Sequence, residues 1–126
     1  MTEVDIHSGF TRAGAVAALN AVLGTTLYGK IHVNPAFDGS LNPSVITTRQ
    51  SFAYGLPDVN GAYDLADPFS FTGIATPEAI WGISAWTAST AGVCVMVRKF
   101  TDVKTVFVGD TLTVVSMPVV PAVVGL

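Results

Sequence analysis

Charge is what this chain has least of. Only 12% of its 126 residues are Asp, Glu, Lys or Arg, about half the share found in an average globular domain. Six Lys and Arg stand against nine Asp and Glu, for a net charge of −3. A domain that binds nucleic acid by neutralising phosphates carries a basic excess or a basic run. The only adjacent basic pair is Arg98-Lys99, so nucleic acid is not the expected partner. Cysteine is nearly absent as well, and the single Cys94 cannot close an internal disulfide. With only His7 and His32 beside it, no ligand set at zinc spacing is present. There is no Gly-x-Ser-x-Gly elbow and no phosphate-cradling glycine loop. The start, MTEVDIHSG, is acidic and lacks the apolar core of a signal peptide. The one long uncharged stretch, residues 79–97, is interrupted by Gly82, Ser84, Thr87, Ser89, Thr90 and Gly92. It reads as two strands joined by a polar turn, not as a membrane helix.

What is abundant is apolar surface. Half of the residues are hydrophobic and the mean hydropathy is +0.55. With no membrane span expected, this surplus implies surface covered by another protein. A chain of this length is one domain and can bury a core without disulfides or zinc.

The only helical periodicity lies near the N-terminus. Val16, Leu19, Val22 and Leu23 recur at three- and four-residue spacing, which predicts one helix over about 12–23 with Thr11 as cap and Gly24 as stop. After Gly24 the pattern is short strands between turns. Strands are expected at Leu27–Val33, Val45–Tyr54, Phe69–Thr72, Ala79–Trp86, Gly92–Phe100, Thr105–Val108 and Thr111–Val115. Two turn-rich loops, 34–43 and 55–68, separate the early ones, and Asn60-Gly61 is the best hairpin dipeptide. The expected fold is therefore mainly β: an antiparallel, jelly-roll-like β-sandwich with one N-terminal helix. Residues 1–115 form that domain. Residues 116–126 are apolar and hold Pro118 and Pro121, which predicts an extended C-terminal arm outside the sheets.

Few residues offer chemistry. Cys94 sits in the alternating apolar run GVCVMV and reads as a small buried hydrophobe. His7 and His32 read as ordinary imidazoles. Asp58, Asn60, Asp64 and Asp67 make an acidic loop that could offer oxygens to calcium, but without EF-hand spacing; capping turns is the commoner use. Trp81 and Trp86 are five apart, which in a strand puts them on opposite faces. One belongs in a core, and the other is either covered or free to stack on a sugar.

Six pieces in a fixed order resemble a known family. They are AVAALNAVLG (15–24), LYGKIHVNP (27–35), TTRQSFAY (47–54), AIWGISAW (79–86), TASTAG (87–92) and VGDTLTVV (108–115). Their order resembles that of small β-sandwich virion proteins of tailed phages, especially phages of actinobacteria, known as head-decoration, minor tail or tail-fibre proteins. The chain departs from that pattern in having Val33-Asn34-Pro35 in place of a His-Thr-Gly-Asp-Pro-like loop start, and in its apolar C-terminal arm. The resemblance implies a structural virion protein with no catalytic residue, and the residues themselves lead to the expectation of no metal and no cofactor. It implies the major capsid protein or other virion proteins as partners, homo-oligomers in the particle, and a place on the capsid exterior or the tail. The expected function is capsid decoration, with a minor tail or tail-fibre role, or a carbohydrate-binding module, as alternatives. The residues expected to meet the partner are those of the arm: Met117, Pro118, Val119, Val120, Pro121, Val123, Val124 and Leu126.

Overall fold

The structure is a computed structural model, and it describes residues 12–120. One helix, α1 (Arg12–Leu23), precedes six strands: β1 (Leu27–His32), β2 (Gln50–Phe52), β3 (Phe69–Phe71), β4 (Glu78–Trp86), β5 (Cys94–Val106) and β6 (Leu112–Val114). All pairings are antiparallel. Four strands form one sheet in the order β2-β1-β4-β5, and β3 pairs with β6 in a second, two-stranded sheet. The chain is thus mainly β with one short helix, as its turn-punctuated pattern predicts.

The helix ends where Gly24 was expected to end it. The Gly24 amide donates to the Asn20 carbonyl at 2.9 Å, and the Thr25 hydroxyl donates to the Val22 carbonyl at 2.7 Å. Of the expected apolar stripe, Leu23 is buried and Leu19 packs against the core, while Val22 is more exposed and the Val16 side chain lies outside what is described. The cap Thr11 also lies outside the described residues.

The two sheets share one core. Leu27 and Ile31 of β1 and Ile80 and Ile83 of β4 meet Phe69 and Phe71 of β3 and Val114 of β6. Gly29 lets the sheets approach, because a Cβ there would lie 2.8 Å from the Ile83 side chain and 3.1 Å from the Phe69 ring. Phe69 in turn stacks on Phe52, with centroids 4.6 Å apart.

Three expectations need correcting. Only Gln50–Phe52 of the strand expected at Val45–Tyr54 is a strand; Ser44, Val45 and Ile46 are instead tied into a clip with Glu78. The strands expected at Gly92–Phe100 and Thr105–Val108 are one strand, β5. Its continuity hides a bulge: Lys99 aligns with Gly82 and Lys104 with Ile80, so Phe100–Val103 arch out opposite Trp81 alone. The Asn60-Gly61 turn does form, with the Gly61 amide donating to the Asp58 carbonyl and the Asp58 amide to the Ala62 carbonyl, both at 2.9 Å, but beyond it the flanks make one isolated bridge, Tyr54 to Leu65, instead of a strand ladder.

The first residues of the expected arm belong to the fold. Met117 is 5% exposed and part of the core. Val119 exchanges two backbone hydrogen bonds with Tyr63, of 2.8 and 2.9 Å. Asp64 fastens this segment, accepting from the Ser116 hydroxyl at 2.7 Å and the Met117 amide at 2.8 Å. An apolar residue after the last strand is drawn in because it fills volume beside Val114, whatever the proline that follows. Met117→Ala should therefore cost about 2–4 kcal/mol of folding stability, whereas Val120→Ala, at an exposed position, should stay within about 0.5 kcal/mol of the parent. Urea unfolding midpoints of the two variants test this.

Candidate functional site

The outer face of the large sheet carries most of the polar side chains that could do chemistry. Alternation along β1 sends Leu27, Gly29 and Ile31 to the core and Tyr28, Lys30 and His32 to the other face. Pairing with β4 sets Tyr28 beside Trp86 and Lys30 beside Ser84. Loop 34–49 closes over this face. It is pinned at its base by the Val33 amide on the Asn42 carbonyl at 3.0 Å and the Ser44 amide on the Ile31 carbonyl at 3.0 Å.

Beneath the loop runs a closed chain of hydrogen bonds. The Trp86 indole N–H donates to Ser84 Oγ at 2.8 Å. Ser84 Oγ lies 2.7 Å from His32 Nε2, and His32 Nδ1 lies 2.8 Å from the Leu41 carbonyl oxygen. That carbonyl can only accept, so Nδ1 carries the proton, Nε2 accepts, and the Ser84 hydroxyl donates to it. Every donor and acceptor is used with the imidazole neutral. Burial pushes the His32 pKa below its ordinary value, against a smaller upward pull from the Leu41 carbonyl.

A serine hydroxyl on a histidine nitrogen has the geometry of a nucleophile and its base. Here both side chains are fully buried, and the far ring nitrogen meets a backbone carbonyl instead of a carboxylate. The pair holds the loop to the sheet. Arg49 completes the cover: its guanidinium lies 4.1 Å from the Trp86 ring centroid and donates to the Ala88 and Ala91 carbonyls at 2.8 and 2.7 Å. On the loop, Gly39 has φ of 90° and leaves no room for a side chain, since a Cβ would lie 2.5 Å from Cys94 Sγ and 2.9 Å from Trp86. At the far end the Ser44 hydroxyl donates to Glu78 at 2.6 Å.

The remaining candidates fall elsewhere. Cys94 is half-buried against this loop, and burial pushes its thiol pKa up. Asp58 and Asp64 spend their oxygens on backbone amides and Ser116, and no three His, Cys, Asp or Glu among the described residues are grouped as metal ligands. Both tryptophans are half-buried, and the face of Trp86 that a sugar would need carries Arg49. In the arm, Pro118 and Val120 are exposed, Met117 and Val119 are packed, and Pro121, Val123, Val124 and Leu126 lie outside the described residues, as does His7.

Sequence reasoning missed the roles of Ser84, Arg49 and Ser44. Their signal was weak but present: a serine and an arginine inside otherwise apolar or strand-forming runs need partners. No known family model matches the chain, nor does any curated protein or solved structure.

Two outcomes follow from the buried face. His32 has a lowered pKa in the folded chain, so the unfolded chain takes up the proton first. Stability is fully present above the ordinary value of 6.5 and falls as pH drops below it. Urea titrations from pH 7 to pH 5 should show this slope, and His32→Gln should be less stable at pH 7 but lose less on acidification. Cys94 should react slowly with iodoacetamide at neutral pH and rapidly once the chain is unfolded; equal rates in both states would contradict the packing of its thiol.

Proposed function

We propose that this chain is a non-enzymatic structural protein of a tailed-phage virion, a capsid decoration protein docked on the major capsid protein. Its two sheets are read as a small jelly-roll-like sandwich that presents loops to its partner. One contrast carries the reading. The groups able to do chemistry are spent on holding the fold, while large apolar side chains stand in water. Leu56 is 95% exposed and Val59 99% exposed on loop 55–62, and Phe37 is 74% exposed on loop 34–49. Such side chains at loop tips are what a protein surface covers on docking. The order of the six sequence pieces supports the same role, and the low charge fits a chain that spends its working life against other subunits.

Phe37 adds a second support. It holds φ at 52°, a left-handed backbone that costs a bulky residue about 1–2 kcal/mol. Strain of this kind on a large exposed side chain marks Phe37 as a candidate contact residue. Phe37→Asn should therefore leave the isolated domain as stable or up to about 1 kcal/mol more stable, yet weaken its association with the particle. Leu56→Asp with Val59→Asp should act the same way.

The direct test is density for the chain in an intact particle. Repeated copies on the outer surface of the head are expected. Density on the tail alone would replace decoration with the minor tail or tail-fibre role. No density in the particle, with binding to a polysaccharide instead, would replace both with the carbohydrate-binding module.

A further inference from the structure

The large sheet and the small sheet come together on one side and stay open on the other. β2 and β3 meet through the Phe52–Phe69 stack. On the far side, β5 and β6 are each the edge of their sheet, and neither has a strand partner there among the described residues. Between them runs a cavity of about 450 Å³ lined by Phe100, Thr101, Lys104, Leu112 and Val114. A second hollow of about 230 Å³ continues it past Arg98 and Ser116.

Charge distinguishes this side from the rest. Arg98, Lys99 and Lys104 are three of the six Lys and Arg of a chain whose net charge is −3, and all three flank this opening, with Asp102 on its lining and Asp64 at its edge, where that carboxylate is already spent on the Ser116 hydroxyl and the Met117 amide. Arg98 is anchored, donating to the Pro118 carbonyl at 2.6 Å. Lys99 and Lys104 are exposed. The arch of Phe100–Val103 lies opposite one residue of β4, so β4 cannot take up all of its backbone donors and acceptors.

We propose that the opening between β5 and β6 is a docking groove for an extended segment of another protein, one in which apolar residues alternate with Asp or Glu. The segment adds to the edge of β5. Its apolar side chains enter the groove over Phe100 and Leu112, and its carboxylates meet Lys99 and Lys104. Strand addition of this kind draws affinity from main-chain hydrogen bonds and selectivity from alternate side chains. A second copy of β5 is a poorer occupant, because it would bring three more cations and its arched centre cannot pair along its length.

The groove is a property of the free chain, so its test does not depend on the virion reading. The probe is a fluorescent octapeptide alternating Val and Glu, titrated into the full chain and followed by anisotropy. Saturable binding is expected, with slowed hydrogen exchange at the amides of residues 101–105. Lys99→Glu with Lys104→Glu, both at exposed positions, should weaken it by about tenfold or more without changing the unfolding midpoint, and raised salt should weaken it too. An octapeptide alternating Val and Lys should not bind. Absence of binding by the acidic peptide, or equal affinity for the double variant, would overturn the groove. Binding with unchanged exchange at 101–105 would overturn strand addition at β5. Loss of particle association in the Phe37 variant bears on the virion role and leaves this result untouched.

Discussion

The fold rests on a constraint at the outer face of the large sheet. An antiparallel sheet normally needs only one buried face. Here loop 34–49 lies on the second face, so polar groups under it lose water and must find partners within the chain. The run from Trp86 through Ser84 and His32 to the Leu41 carbonyl meets that demand without a charge. A broken link would leave a buried donor or acceptor unpaired, at a cost of about 1–3 kcal/mol. The position of the loop, and with it of Phe37 and Cys94, therefore depends on four atoms being in register across β1 and β4.

The core obeys a simpler rule, which explains why it was legible. Along β1, Leu27, Gly29 and Ile31 alternate with Tyr28, Lys30 and His32, as a strand with one apolar face does, whereas Ile80 and Ile83, three apart, both reach the core across the irregularity between Ile80 and Gly82. Turn chemistry placed the ends: Gly24 after the helix, Asn60-Gly61, and Gly109, whose φ is 87°. What stayed hidden depends on partners far away in sequence. Val45–Arg49 has strand-forming composition, yet Glu78, more than thirty residues away, captures Ser44 and Val45 instead. The arch at Phe100–Val103 exists because Ile80 and Gly82 fix the register on either side of it. Gly82 is itself confined, since a Cβ there would lie 2.3 Å from the Arg98 carbonyl oxygen. The candidate site was less legible than the core: His32 was seen, but its serine and carbonyl partners come from β4 and from a loop whose path no local pattern encodes.

Met117 shows how a proline-rich tail can mislead. Pro118 and Pro121 do argue against a central strand, and among the described residues of the tail Val119 makes only an isolated bridge, to Tyr63. They say nothing about burial of the residue before them, which the space beside Val114 decides. Asp64 then turns a hydrophobic contact into a defined one, because its carboxylate oxygens accept from Ser116 and the Met117 amide. These hydrogen bonds hold its pKa below the usual carboxylate range, with Ser116 the leading cause.

The two tryptophans divide the molecule optically. Trp86 lies under loop 34–49 with a cation on its ring and a hydrogen bond on its indole nitrogen. Trp81 is placed opposite the arch of β5. Indole emission shifts with the polarity around the ring, so lifting of the loop and occupation of the β5 side perturb different chromophores. With Trp81→Phe and Trp86→Phe as single-emitter variants, each region of the surface has its own native fluorophore, and no dye need be attached.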